Sequence, residues 1–361
     1  MKRILIGIDV SKETIAVSVI FPEKTGFMPE VVYYDTFNNA KAGFRLMVAA
    51  VRKVSGKIKP EEWLFCCETT GAYDRALCDY LYGQGLDIWR ENALRIRWSR
   101  GLVRGKNDKA DSKMIAEYAW RHTDKVQLYV SPSPVITQLK ALYKYREHLV
   151  TEKKAKMVRA NEIKATAVNL PAIRFMYNDS MKEVERLEES IKECEKQIKQ
   201  LIESDEDIKR NYDHITSIKG VKIVTATGLI VYSNNFKTLV TSRQASSYCG
   251  CANFFEDSGT SVHKKVDTRN LCNRRMKGVL TQAARSAIAS IPEIGDYAAR
   301  MTSRGKEWGI VLNNVRNKLL HIMYSLVQND CDYEPDHERK RNLQLCAGSQ
   351  QTSNLGATGK I

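Results

Sequence analysis

Residues 4 to 9 alternate strictly, with Ile4, Ile6 and Ile8 on one face and Leu5, Gly7 and Asp9 on the other, and the run stops on a carboxylate. That is the period of a β-strand buried on at least one side. A carboxylate at the end of such a strand is costly to bury unless it is solvated or binds something. Thr14 to Ile20 and Val31 to Phe37 continue as strands, separated by the turn-like stretch Pro22 to Gly26. Phe44, Met47, Val48 and Val51 then recur at helical spacing, and Trp63 to Cys67 forms another short strand ending on Glu68. The turn at Gly71 leads into a helix near Tyr73 to Tyr82, and Leu86 to Trp89 is a fifth strand candidate. Three early strands followed by alternating helix and strand predict a mixed α/β sheet with helices on its faces.

The formal net charge of +15 over 361 residues favours a polyanionic partner. Such attraction to phosphate is sequence-independent and falls steeply with salt. Part of the charge is concentrated at Arg95, Arg97, Arg100, Arg104, Lys106, Lys109 and Lys113, which bracket Asp108 and Asp111 at the start of a helix. A solvated helix face explains a basic run equally well, but this one surrounds acids to which a nucleic acid would have to be brought. No apolar run approaches the ~20 residues of a membrane-spanning helix, and the opening Met-Lys-Arg leads into a strand and not a secretory leader. The cysteines at 66, 67, 78, 194, 249, 251, 272, 331 and 346 lack C-x-x-C spacing and read as reduced thiols of a cytoplasmic protein. Cys249 and Cys251 have no histidine close by in sequence and read as small buried hydrophobes.

Beyond Pro132 and Pro134 the pattern turns helical as far as residue 204. Val184, Leu187, Ile191, Cys194, Ile198 and Leu201 follow a coiled-coil seam, and Val135, Leu139, Leu142 and Leu149 repeat it less strictly. The two helices pair within one chain as an antiparallel hairpin or between two chains, and their length and polar outer faces favour the second. A further domain begins near Tyr212. Its stretch Ser217 to Lys222 sets Gly220, Lys219 and Lys222 before an apolar helix from Ile223 to Val231, a turn suited either to a phosphate or to plain helix-helix packing. Helical periodicity returns at Met276 to Ile288 and Val311 to Val327, and the Ser-, Gly-, Asn- and Gln-rich end from Asp330 to Ile361 is expected to be disordered.

Asp9 and Glu68 each end a strand, and Asp108 and Asp111 share one helix face at i and i+3. Four hard oxygen donors suit one or two Mg2+ ions that keep waters and take their remaining ligands from substrate phosphate. A pair of such ions can stabilise both oxygens of an in-line phosphoryl displacement. Taken singly, each acid is as well explained by a helix cap or a surface position.

The segments GIDVSK at Gly7 to Lys12, CETTGAYD at Cys67 to Asp74 and KNDKADSKMIAEYA at Lys106 to Ala119 resemble, in order and spacing, the N-terminal domain of the IS110 family of insertion-sequence transposases, bridge-RNA-guided DNA recombinases. The likeness resumes at Ser217 to Ala226, at FEDSGTSVHKK (Phe255 to Lys265) and at NRRMKGVLTQAA (Asn273 to Ala284). It implies a ribonuclease-H-like, RuvC-like fold in which Asp9, Glu68, Asp108 and Asp111 hold Mg2+, and a nucleophilic Ser258 that links covalently to DNA. Ser261 matches a neighbouring position without that role. Without the resemblance, Ser258 reads as a turn residue in a polar loop.

A serine hydroxyl needs a base or metal to become nucleophilic at neutral pH. Asp257 and His263 do not make a convincing local triad with Ser258, so metal at the acidic tetrad is the better activator, and the resemblance favours a composite site built by two protomers. The chain departs from the family at Val266 to Cys272, where Cys272 occupies a common glycine position, yet Lys264, Lys265, Arg269, Arg274 and Arg275 keep the region basic for DNA-backbone or RNA contact.

The expectation is therefore α/β plus α: a ribonuclease-H-like catalytic domain over residues 1–130, a helical coiled-coil connector over 131–210, a mainly helical transposase domain over 211–330 with Ser258, and a tail over 331–361. The expected partners are double-stranded donor and target DNA, a non-coding guide RNA and further copies of the chain, a dimer assembling to a tetramer, in the cytoplasm at the nucleoid. Strand exchange would pass through a phosphoserine intermediate without ATP, since no P-loop is present. The rivals are a hydrolytic junction resolvase using the acids alone and a non-catalytic nucleic-acid-binding regulator.

Overall fold

A computed structural model of the chain describes residues 4–22, 30–71, 73–99, 108–165, 170–252 and 272–335 in full, and the backbone alone of 166–167, 255–258 and 262–265. The chain divides into two compact units, Met1–Ser131 and Pro132–Ile361.

In the first unit, β1 (Ile4–Val10), β2 (Thr14–Ile20) and β3 (Val31–Asn38) form an antiparallel meander. The helix α1 (Lys41–Ser55) follows, and then β4 (Trp63–Glu68), α2 (Arg75–Gly83) and β5 (Ile88–Glu91). β4 lies parallel to β1, and β5 parallel to β4, giving the strand order β3-β2-β1-β4-β5. This is the mixed sheet that the alternating pattern predicts, with the strand order of the ribonuclease-H-like fold. The unit ends with α3 (Ala93–Ser99) and α4 (Asp108–Arg121).

The alternation divides the core in two. Ile4, Ile6 and Ile8 of β1, with Trp63, Phe65 and Cys67 of β4, are buried with Phe44, Met47 and Val51 of α1 and Leu77, Cys78 and Leu81 of α2. The opposite face carries Leu5, Leu64, Cys66 and Trp89, packed with Ile115, Ala116, Tyr118 and Ala119 of α4. Asp9, Glu68 and Glu91 have the parity of this second face. The α4 backbone comes so close to β1 that a Cβ at Gly7 would overlap the Ser112 carbonyl oxygen and the Ala116 amide nitrogen. A buried hydrogen bond of 2.8 Å between the Ser18 and Ser112 hydroxyls ties the same helix to β2.

The second unit begins with α5 (Pro134–Ala167) and α6 (Pro171–Glu203). Arg146–Glu195 (2.7 Å), Lys153–Glu188 (3.0 Å) and Lys156–Glu183 (2.5 Å) join them, residues rising on one helix as they fall on the other. The two helices thus pair within the chain as an antiparallel hairpin. Val184, Ile191, Cys194 and Ile198 of the spacing are buried along α6, Leu187 and Leu201 are partly buried, and Ile202, which the spacing omits, is buried beside Leu201. The pairing between chains that the sequence favours is not needed to cover these residues.

Next come α7 (Glu206–Thr216), α8 (Ile223–Ser233) and α9 (Ser242–Tyr248), the last opened by a capping box between Thr241 and Gln244. A short antiparallel hairpin of β6 (Phe255–Ser258) and β7 (Val262–Lys265) follows, and then α10 (Arg274–Ser290), α11 (Pro292–Ser303) and α12 (Trp308–Gln328). The helices share one core that includes Ile215, Leu229, Ile230, Leu280, Leu319 and Met323. Cys249 and Cys251 lie in it at 1% exposure, as small hydrophobes. Burial, the largest cause, raises both thiols, Cys251 to about 11. Cys272 packs so near Gly250 that a Cβ added there would lie 2.6 Å from its sulfur.

The start of the chain's last stretch is held: His214 Nδ1 contacts Asp332 at 2.7 Å and Nε2 contacts Asp330 at 3.1 Å, while the Tyr333 amide donates to the Ser217 hydroxyl at 2.8 Å. The expectation of disorder from Asp330 to Ile361 meets these held residues at its start, and from residue 336 on it lies outside the described residues.

Candidate active site

The first unit sets its acids by strand register. Ile8 on β1 lies opposite Cys67 on β4, so Asp9 and Glu68 follow as the next residues of two adjacent parallel strands. Both are half-buried at the carboxyl-terminal edge of the sheet. Asp108 and Asp111 open α4, the helix seated on that face; Asp108 is exposed and Asp111 is only 6% exposed. The close approach at Gly7, two residues before Asp9, meets Ser112, the residue after Asp111. β1, β4 and α4 therefore carry the four acids to one edge.

Three structural ties hold that edge. The β1–β2 turn is closed by the Ser11 amide donating to the Thr14 carbonyl at 2.9 Å. Asn39 Nδ2 donates to the carbonyls of Ser11 (2.7 Å) and Tyr73 (3.1 Å), joining that turn to the loop after Glu68. The Thr69 amide donates to the Glu91 carbonyl at 2.8 Å, and its hydroxyl to the same oxygen at 2.9 Å.

The chemistry of the donors fits a hard divalent cation. Carboxylate oxygens of this kind select Mg2+ or a similar hard ion. Asp9, Glu68, Asp108 and Asp111 are the residues that would hold it. They do not form a closed cage: among the described residues, the one group of three possible ligand atoms all within 4.8 Å of one another is Cys67, Asp74 and Cys78, on the opposite face. That trio makes a poor cation site. Asp74 is fully buried and both its oxygens are taken by Arg90 Nε and Nη2. The hydrogen bond to Cys78, followed by burial, raises the Cys67 thiol well above its ordinary value and keeps it protonated.

Glu91 is an acid that the sequence pattern missed. It ends β5 directly opposite Glu68 and is 5% exposed. Its Oε1 accepts from the Asn92 amide at 2.6 Å and lies 3.7 Å from Arg95 Nη1, while Oε2 accepts from the Tyr118 hydroxyl at 3.1 Å. Burial first, and then the charge of Glu91, pushes Tyr118 up to about 12. The available signal was a third strand ending on an acid, hidden because Arg90 and Glu91 together look like a solvated strand end.

Arg97, Lys219, Lys222 and Arg274 are exposed, as contacts with a nucleic acid require. Lys109 lies 5.5 Å from the Tyr34 ring centre, Lys113 pairs with Glu117 at 3.7 Å, and Arg275 pairs with Glu147 at 2.9 Å. Trp98, beside Arg97 on α3, is 66% exposed, an aromatic surface on which a base can stack. Gly220 takes φ +96° in the turn before α8, where no side chain caps the helix. Arg100, Arg104, Lys106, Ser261 and Arg269 lie outside the described residues, and Lys264 and Lys265 are described only as β7 backbone. Ser258 is the last residue of β6, at the register position opposite Val262, with Asp257 opposite His263. It thus ends a strand, where the polar sequence suggested a turn.

Residues 6–164 match the DEDD transposase family of IS110, and residues 212–299 match the transposase IS116/IS110/IS902 family. Pilin gene-inverting proteins of Moraxella lacunata and Moraxella bovis are each 22% identical over 338 residues, 92% of this chain and 98% of theirs. An IS110 insertion-element protein of 43.6 kDa from Streptomyces coelicolor is 27% identical over 120 residues, 33% of this chain and 29% of its own length. The RuvC structure of Thermus thermophilus aligns with 35% of this chain and 99% of its own, at 14% identity and a TM-score of 0.25. The two matches, over residues 6–164 and 212–299, together take in most of the chain, which belongs to the IS110 family of transposases.

Proposed function

We propose that this transposase recombines DNA through a covalent serine intermediate, with a divalent metal, Mg2+ in the cell, held by Asp9, Glu68, Asp108 and Asp111. The observation that carries the reading is the set of acids at the ends of β1 and β4 and the start of α4, in a chain whose second unit supplies a serine at the end of β6. A bound divalent ion supplies Lewis acidity, lowering the cost of charge on the phosphate and its leaving oxygen. The Ser258 oxygen attacks the phosphorus of one phosphodiester and loses its proton. A phosphate-serine bond forms, one phosphorus-oxygen bond to sugar breaks, and that sugar oxygen leaves as a hydroxyl. Attack by a hydroxyl from another strand reverses these changes, rejoins DNA and frees the serine, so the bond energy is conserved and no ATP is needed.

Gene inversion, named for the two Moraxella relatives, requires cut strands to be rejoined, which supports recombination over simple hydrolysis. The net charge of +15, with exposed Arg97, Lys219, Lys222 and Arg274, supports contact with nucleic-acid backbone. Family membership supports a bridge RNA as a further partner: base pairing reads both DNA sequences while the protein reads backbone and shape, as in other guided enzymes. The same kinship supports a dimer assembling to a tetramer on DNA.

The test uses the full chain copurified with its element's RNA, labelled donor and target DNA, and Mg2+. A protein-DNA adduct that survives denaturation is expected, and it should vanish in Ser258→Ala, in Asp111→Asn and with EDTA. Cleavage without an adduct, or an adduct that persists in Ser258→Ala, overturns the serine mechanism. Loss of the adduct on removing the RNA, with restoration when it is returned, is the result expected of a guided enzyme.

A further inference from the structure

We infer that Glu91 is a positioning residue for the acidic centre: one residue that fixes both the strand bearing Glu68 and the helix bearing Asp108 and Asp111. Its backbone and side chain do separate jobs. The backbone carbonyl accepts two hydrogen bonds from Thr69, the residue after Glu68, at 2.8 Å and 2.9 Å. The carboxylate reaches the other way and accepts from Tyr118 on α4 at 3.1 Å. Tyr118 lies seven residues beyond Asp111, about two turns or ~10 Å along the same helix face. Rotation or sliding of α4 that displaced Asp111 would therefore have to break the Glu91–Tyr118 bond.

Glu91 is built to hold and not to bind. Both its oxygens are occupied inside the protein, by Asn92 and Tyr118, and Arg95 stands 3.7 Å away as counter-charge. At 5% exposure it is buried, where a charge is tolerated only with such partners. Tyr118 is seated independently of its hydroxyl, stacked on His122 with ring centres 4.4 Å apart and tilted against Trp89 at 5.3 Å. Gly7 and the Ser18–Ser112 bond set how close α4 lies to the sheet, and Glu91 sets its register along it.

The inference rests on the reading of the acids as a metal centre, so the experiment measures metal binding directly. Mn2+ binding to the full chain is followed by electron paramagnetic resonance for the wild type and for Glu91→Ala, Glu91→Gln, Tyr118→Phe and Asp111→Asn. Val51→Ala, on the opposite face of the sheet, serves as a stability control with thermal midpoints recorded for all. Removing a group that orients ligands costs about 10-fold or more in metal affinity. Glu91→Ala should weaken Mn2+ binding by about that factor, with Tyr118→Phe moving the same way and Glu91→Gln recovering part of the loss through its amide oxygen. Val51→Ala should lower the thermal midpoint and leave binding unchanged. If Glu91→Ala does not fold, Tyr118→Phe decides, because its ring stays packed. Wild-type affinity in the Glu91 and Tyr118 variants, with loss in Asp111→Asn, overturns the positioning role alone. Wild-type affinity in Asp111→Asn overturns the metal centre, and the inference with it.

Discussion

The two units place their candidate catalytic residues by different means. In the first, Asp9, Glu68 and Asp111 sit on elements whose positions are set several times over, by strand register, by the backbone contact at Gly7 and by hydrogen bonds through Asn39, Thr69 and Glu91. In the second, Ser258 ends a four-residue strand set by its pairing with β7. On the proposed reading, a metal centre needs several groups held at once, whereas a serine nucleophile would have to meet different DNA strands in turn.

If the first unit is the rigidly specified one, polar and backbone contacts inside it should be the most sensitive points in the chain. Arg90→Ala leaves the fully buried Asp74 without its guanidinium, and losing one partner of such a pair costs about 3 kcal/mol or more. Of the chain's 5 tryptophans, Trp63, Trp89, Trp98 and Trp120 belong to this unit, so fluorescence follows it, while far-UV circular dichroism is dominated by the helices of the second. The fluorescence midpoint in urea should fall, with the dichroism keeping a later transition. One shared transition, shifted in both signals, would break the distinction.

A matched pair of glycine substitutions sharpens the contrast. Gly7→Ala drives a methyl group into the backbone of α4, whereas Gly228→Ala meets only side-chain atoms, Tyr143 Oη and Met276 Sδ, in the core of the second unit. Overpacking against backbone should cost about 3 kcal/mol, and against side chains that can repack about 1 kcal/mol. Gly7→Ala should also weaken Mn2+ binding, because it lifts the helix bearing Asp111, and Gly228→Ala should not. Equal losses in urea titrations would show that the α4 contact has no special stiffness.

The same contrast governs what was legible in the sequence. Period-two alternation at Ile4 to Asp9, and its echo at Trp63 to Glu68, place acids on the face they occupy, because strand parity is a local property. Glu91 escaped notice because its burial depends on Tyr118, 27 residues away, and on Asp74 drawing Arg90 inward from 16 residues away. The hairpin at Phe255 to Lys265 is polar, with neither period in its residues, so its strands come from pairing and not from local pattern. Ser258 stood out only through family resemblance. The helical seam was legible as a seam, but its partner was not: a/d spacing is the same within one chain as between two, and the Arg146–Glu195 and Lys153–Glu188 pairs that close it lie 49 and 35 residues apart.

The smallest expected effect lies in the second unit, where the end of the described chain is held by charge. Burial alone lowers the His214 pKa, but the hydrogen bonds its ring donates to Asp332 and Asp330 outweigh it and the net shift is upward. A group whose pKa is higher in the folded state stabilises fully below its unfolded value, about 6.5 for histidine, and loses that contribution as the pH rises through the folded value. The thermal midpoint of the second unit should therefore decline modestly as the pH is raised from about 6 through that window. His214→Asn should flatten the decline, and Asp332→Asn should reduce it. Arg210, 3.1 Å from Asp330 and 2.8 Å from Asp207, carries a charge that does not titrate in this range, so it should hold the segment loosely when His214 is neutral. A pH profile unchanged by His214→Asn would mean that Arg210 and the Tyr333–Ser217 hydrogen bond suffice, and that this unit too is secured without a titrating group.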